Sequence, residues 1–278
     1  MKNLIWTDSH ICRENISELT TIFSEIMSYK ADRVICLGDY YEKKTLSPEE
    51  LIFGTSIMKK FVDKYPEVIM LEGNHDKPTI KYLIDLGVKV VPSEIIDNDF
   101  YGHFFVEESV KAFNSAKFTL NHFQDYRYVF LGHQHSFQAI GNGRFHPGSI
   151  IYVNFGEVED ISKYIFMLED DEINFIELKS PIPMRDIFNL SDLDKIEKKT
   201  KVRYVIKNFN KLKEESFLLD KYKEYFYQFK IKLDFEDKQE EIQISPMKSI
   251  REIIDNWLNN IEDEEVKDEL ISSFKEEK

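Results

Sequence analysis

Two cysteines, Cys12 and Cys36, are the only thiols in 278 residues. That excludes a disulfide framework and a four-cysteine zinc site. No stretch reaches the ~18 continuous apolar residues that a membrane span needs. The opening "MKNLIW" lacks the long apolar run of a signal peptide and reads as a first strand. These absences predict a soluble, cytoplasmic protein with no membrane partner. Positive charge is also short: 37 Lys and Arg stand against 51 Asp and Glu, a formal net charge of −14. That argues against a broad electrostatic grip on nucleic acid, though not against a local basic patch or bound cations. Internal repeats and low-complexity tracts are absent too. The composition that remains is that of a globular protein, with 22 Phe and 14 Tyr to supply an aromatic core. Its length suits one large domain, or one domain plus a smaller one.

The first third repeats one pattern. "NLIW" is a short apolar run. "ISELTTIFSEIMSYK" then places Ile16, Leu19, Ile22, Phe23, Ile26 and Met27 at helical spacing. "RVICL" is a second buried strand. "SPEELIFGTSIMKKFVDKY" is a second helix, with Ser47 as N-cap and Pro48 in its first turn. "EVIML" is a third strand, and "TIKYLIDLG" and "VKVV" add a helix and a strand. The alternation implies parallel strands joined by right-handed crossovers. A helix over about 108–125 leads to the strand "YVFLG". Short strands with Gly-rich turns follow, and "EDDEIN" turns one antiparallel pair. "SPIP" reads as a linker. Beyond it, residues 184–244 read as a small α+β domain, because Tyr227, Phe229, Ile231, Leu233 and Phe235 alternate with polar residues. Two amphipathic stripes over 247–275 read as a helix pair. One runs through Ile250, Ile253, Ile254, Trp257, Leu258 and Ile261, the other through Val266, Leu270, Ile271 and Phe274.

Metal-competent residues recur just past the apolar strands. "TDSH" brings Asp8 and His10. "GDYYE" brings Gly38, Asp39 and Glu42. "GNHD" brings Gly73, Asn74, His75 and Asp76. "GHQH" brings Gly132, His133 and His135. In an open α/β sheet the carboxyl ends of the strands face the site crevice. Carboxylate, amide oxygen and imidazole without thiolate suit manganese foremost, with iron and zinc as other fits. Asp8 and His10 flank one residue, as do His133 and His135, so on extended backbone each pair points one way. Asp39 is the natural carboxylate to bridge two ions.

Together these motifs resemble the signature of the calcineurin-like metallophosphoesterase superfamily, over about residues 1–180. The resemblance implies an α/β fold, a four-layer αββα sandwich, and two divalent metal ions. One ion would be held by Asp8, His10, Asp39 and His135, the other by Asp39, Asn74, His103 and His133. His103 is assigned by its order and its strand position. His122, inside the helix that follows, is the alternative. A hydroxide bridging ions ~3.5–4 Å apart would attack phosphorus. His75 would protonate the leaving oxygen, and Asp76 would orient its ring.

Three further features resemble the SbcD-type (Mre-type) nucleases of double-strand-break repair. "FHPGSIIYVNFGE" is similar to their "PGS…FGE" hairpin. The domain after residue 183 is placed like their capping domain. The terminal helix pair falls where they dock on an SbcC-type coiled-coil ATPase. That resemblance implies an exonuclease or endonuclease subunit acting on DNA, and a homodimer. The alternatives are a phosphodiesterase or phosphatase for small nucleotides and, at the far end, a non-catalytic scaffold. The chain departs from the family pattern at Ile11 and Cys12, where a glycine is usual, and in "GDYYEKK". Only 27 residues separate His75 from His103. These departures bear on the DNA surface more than on the metal chemistry.

Overall fold

Apolar residues fill the early strands almost continuously because both faces of each strand are buried. Along β1 (Lys2–Trp6), Leu4 and Trp6 point to one side and Ile5 to the other. The helix α1 (Ile16–Met27) lays Leu19, Ile22, Phe23 and Ile26 on that first side. The strand β2 (Arg33–Cys36) repeats the split, with Val34 and Cys36 opposite Ile35. The helix α2 (Pro48–Lys64) follows. Its Ser47 cap is as expected: Ser47 Oγ accepts from Glu50 N at 3.3 Å, and Glu50 Oε2 accepts from Ser47 N at 2.6 Å. The strand β3 (Glu67–Leu71) completes the parallel trio.

The computed structural model describes residues 1–75, 79–109, 116, 118–207, 211, 214–215, 218–235 and 238–242. Asp76 and the helix pair expected over 247–275 lie outside these residues. The remaining strands are β4 (Lys89–Val91), β5 (Glu94–Ile96), β6 (Asp99–His103), β7 (Val129–Gly132), β8 (Gln138–Gly141), β9 (Arg144–His146), β10 (Tyr164–Glu169) and β11 (Glu172–Glu177). They form two sheets, in the orders β11-β10-β1-β2-β3-β4 and β5-β6-β7-β9-β8. Ile5, Ile35, Ile69, Tyr101, Phe130 and Phe166 fill the space between the sheets. The helices α1 and α2 cover the outer face of the first sheet. The outer face of the second carries a smaller cluster built on Val106, Phe123, Val129 and Leu131. The result is the expected α/β arrangement of layers.

Among the described residues, two expected helices show no α-helix. "TIKYLIDL" forms a 3-10 helix over Thr79–Leu86. Its buried residues are Ile80 and Leu83, three apart, while Ile84 is half exposed. That is the eclipsed i, i+3 pattern of a 3-10 turn rather than an α-helical stripe. In place of a helix over 108–125, the described residues show a parallel bridge between Val106 and Phe118 and a 3-10 turn at Leu120–Phe123.

The chain divides after Pro181 into two compact units. The second holds β12 (Met184–Ile187), the one-turn α3 (Leu190–Leu193), β13 (Lys201–Ile206), β14 (Gln228–Phe235) and β15 (Lys238–Ile242). They form one four-stranded sheet, with Val202, Tyr204, Ile206, Ile231 and Leu233 in its core. No helix among the described residues is long and apolar enough to cross a membrane.

Candidate metal centre

The loops leaving β1 and β2 run side by side. Asp8 N donates to Gly38 O at 3.1 Å, His10 N to Asp39 O at 3.0 Å and Ile11 N to Tyr40 O at 2.8 Å. This lacing forces unusual backbone. Seven non-glycine residues have left-handed φ among those described, and four are Asp8 (52°), His10 (46°), Asp39 (50°) and His133 (83°). Such conformations cost about 1–3 kcal/mol each and persist where the surroundings over-determine them. Close approach also demands small residues. A Cβ on Gly73 would overlap Asp39 Oδ1, and one on Gly132 would lie 2.6 Å from His103 Nδ1.

Asp8, His10 and His135 converge as a first set. Asp8 Oδ2 accepts from Thr7 Oγ1 and, at 3.1 Å, from His133 N. Asp8 Oδ1 is buried without a hydrogen bond, 3.6 Å from His10 Nε2 and 3.9 Å from His135 Nε2. The two Nε2 atoms are 3.1 Å apart. A bare carboxylate oxygen facing two ring nitrogens in a buried site is costly unless a cation satisfies it. The donor set therefore fits a divalent metal.

Asp39, His103 and His133 form a second set beside it. Asp39 Oδ2 lies 3.1 Å from His103 Nε2 and 3.9 Å from His10 Nε2, so one oxygen faces both sets. Asn74 Oδ1 is 3.2 Å from His103 Nε2. His103 Nδ1 donates to Leu37 O at 2.7 Å, which turns Nε2 toward the site. All seven expected ligand residues thus gather at the strand ends. His122 does not join them. Its Nδ1 lies 3.1 Å from both the nitrogen and the hydroxyl of Thr119, in the exposed 3-10 turn.

His75 sits against the first set, its ring centroid 4.9 Å from that of His10. Its backbone nitrogen donates to Asp39 Oδ1 at 2.9 Å, and its Nδ1 donates to Glu42 O at 2.8 Å. The described orienting partner of His75 is thus the Glu42 carbonyl. One nitrogen of His75 also falls within 4.8 Å of ligand atoms of His10 and Asp39.

Two carboxylates behind the histidines of the first set make contacts the sequence did not reveal. Glu42 Oε2 lies 2.6 Å from His10 Nδ1. Glu157 Oε1 lies 3.3 Å from His135 Nδ1. Glu157 also accepts from Asn154 N at 3.0 Å, and from the buried Lys163 ammonium at 2.6 Å. Lys163 Nζ in turn reaches Asp160 Oδ2 at 2.8 Å and His135 O at 3.1 Å.

The electrostatics follow from this packing. Burial alone would lower the His10 pKa, but the Asp8 and Glu42 carboxylates raise it to about 10. Burial likewise opposes His103, and Asp39 with Asp8 raises it to about 9. Burial works against the charge on Asp8 and Asp39, yet the facing histidines hold both below the usual carboxylate range. Glu157 resists burial in the same way, held at about 2 by His135 and Lys163. His133 goes the other way, pushed to about 4 by burial and the neighbouring His103 charge.

Residues 1–168 match the sequence profile of the calcineurin-like phosphoesterase superfamily domain. No curated protein sequence matches the chain. Among solved structures, a single-site variant of Vps29 from Entamoeba histolytica is 16% identical, with a TM-score of 0.40 over 64% of this chain and 98% of that one. The nuclease MPE of Pseudomonas putida is 14% identical, with a TM-score of 0.36 over 63% of this chain and 87% of that one. A cold-active protein-tyrosine phosphatase of a psychrophilic Shewanella species is 11% identical, with a TM-score of 0.35 over 64% and 80%.

Proposed function

Because the chain belongs to the calcineurin-like phosphoesterase superfamily, we propose that it is a metal-dependent phosphodiesterase whose substrate is DNA. The observation that carries the metal chemistry is Asp39, whose Oδ2 faces His103 on one side and His10 on the other. Two bound divalent ions, manganese foremost, would supply an activated water near neutral pH and positive charge opposite the phosphoryl oxygens. Asp8, His10, Asp39 and His135 would hold one ion, and Asp39, Asn74, His103 and His133 the other. His75 Nδ1–H donates to the Glu42 carbonyl, which turns Nε2 toward the site, and from its doubly protonated form His75 would give the Nε2 proton to the leaving oxygen.

DNA is the favoured substrate on two features: the "PGS…FGE" segment that ends in Glu157, and a separate α+β unit that follows Pro181 in the sequence, where a capping domain is expected. On this reading the protein is a nuclease subunit of the SbcD type. It would dimerise and dock on a coiled-coil ATPase through residues 247–275. A second reading, hydrolysis of small nucleotide diesters, is favoured by the net charge of −14. The deciding assay is Mn²⁺-dependent cleavage of linear and single-stranded DNA by the intact chain beside His75→Ala. Cleavage lost in the variant supports the nuclease. Hydrolysis of a small aryl phosphodiester with DNA left intact supports the second reading.

A further inference from the structure

The two ligand sets have unequal surroundings. In the first, the outward nitrogen of each histidine meets a carboxylate: Glu42 Oε2 lies 2.6 Å from His10 Nδ1, and Glu157 Oε1 lies 3.3 Å from His135 Nδ1. The Glu157 carboxylate is anchored by side chains, and Glu42 is held at its backbone. Glu157 is buried and tied to Lys163 and Ser149, at 2.6 and 3.1 Å. Glu42 N donates to Ile11 O at 3.1 Å, and Glu42 O receives His75 Nδ1. In the second set the outward nitrogen of His103 meets a neutral group, Leu37 O, at 2.7 Å. The His133 ring packs on Phe105, with centroids 4.3 Å apart. Asn74, the amide of this set, is exposed, although the His103 and Asp39 side chains are as buried as those of Asp8 and His10, and His133 and His135 are both half-buried.

A carboxylate behind a metal-ligating imidazole fixes its tautomer and raises the basicity of the facing nitrogen. Losing such a partner typically costs about 10–100-fold in metal affinity. The first set has two such partners. The neutral carbonyl behind His103 fixes its tautomer but adds no negative charge. Asp8 Oδ1, lacking any hydrogen bond, faces the first set alone, whereas Asp39 Oδ2 is shared between the two sets.

We propose that the two metal positions are inequivalent: the Asp8–His10–His135 position is a tight, resident site made so by Glu42 and Glu157, and the Asp39–Asn74–His103–His133 position is a looser, exchangeable one. This rests on the dinuclear reading of the site. Glu42 and Glu157 act through the histidines as positioning residues. The looser position would then be the one through which free metal concentration sets the activity.

The test is calorimetric titration of the chelator-stripped full chain with Mn²⁺, with the free-ion electron paramagnetic resonance signal as a second readout. Two binding events at least tenfold apart in affinity are expected. Glu42→Gln should weaken the tighter event by about tenfold or more and leave the looser one in place. Asn74→Ala should weaken the looser event alone. Glu157→Gln tests the other carboxylate, and since it leaves Lys163 buried beside a neutral amide, its fold is checked first by circular dichroism. Glu42 is partly exposed and carries the test if that variant fails to fold. Two equivalent ions in the wild type, or a Glu42→Gln effect confined to the looser event, would overturn the inequivalence while leaving a dinuclear site standing. Absence of any Mn²⁺ binding would overturn the dinuclear reading itself, and this inference with it.

Discussion

His10 and His103 hold protons among carboxylates, and this gives the metal-stripped protein a distinctive pH response. Their pKa values rise from 6.5 to about 10 and about 9 in the folded chain. A raised histidine contributes stability that is fully present below about 6.5 and is lost as pH climbs through its folded value. The chelated protein should therefore melt at progressively lower temperature from pH 7 to pH 9. A divalent ion competes with those same protons, so the rise in melting temperature on adding Mn²⁺ should grow over the same range. Thermal melts in chelator and in Mn²⁺ at pH 6, 7, 8 and 9 measure both slopes. A flat profile in chelator would mean that the two rings are neutral in the folded chain. At this scale the sequence picked out the residues that converge better than those that support them. Asp8, His10, Asp39, Asn74, His133 and His135 stood in short motifs at strand ends, and His103 followed from order. Glu42 and Glu157 stood in quoted segments without a role, because a carboxylate that braces a ligand obeys no spacing rule. The left-handed backbone of Asp8, His10, Asp39 and His133 was hidden for a related reason: tertiary lacing imposes it, not residue type.

Elements were legible where burial is two-sided or the apolar stripe is long. The runs in β1, β2 and β3 and the stripe of α1 have one reading each. The stripe of "TIKYLIDL" has two, since eight residues do not separate a period of 3.6 from one of 3.0. Only the packing of Ile80 and Leu83, with Ile84 left outside, decides it. Capping was also legible. Ser47, Pro48 and Glu50 form the box that opens α2, and Phe61 of that helix is fully buried against Trp6, their ring centroids 5.9 Å apart. Ser47→Ala removes the Oγ acceptor for Glu50 N and should destabilise the fold by about 1 kcal/mol. The urea midpoint should fall with the slope unchanged. Mn²⁺ affinity should stay at its wild-type value, because α2 contributes no ligand. A shift in affinity would show that the helix start and the loop carrying Glu42 are coupled.

Charge divides unevenly over the whole molecule, and this bears on what each unit contributes. Both units are acidic over their full length: residues 1–181 carry 18 Lys and Arg against 28 Asp and Glu, and residues 182–278 carry 19 against 23, with a positive excess confined to 182–234, 13 against 9. Every residue of the two converging sets, with Glu42, His75, Glu157 and Lys163, lies before Pro181. The first unit also contains its own cores, between the two sheets and beneath α1 and α2. A chain ending at Pro181 should therefore fold, bind Mn²⁺ as the full chain does and hydrolyse a small aryl phosphodiester at an unchanged rate. If DNA is the substrate, the Lys- and Arg-richer stretch 182–234 of the second unit supplies phosphate contacts. The shortened chain should then lose DNA cleavage, and DNA binding by the full chain should weaken steeply with salt, because each phosphate contact releases counterions. Cleavage assays and fluorescence anisotropy on both chains at 50 and 200 mM salt read this out. Equal DNA cleavage by the two chains would remove the second unit from substrate recognition. Equal diester hydrolysis with no DNA binding by either chain would leave the small-nucleotide reading, since the first unit alone then accounts for all the chemistry.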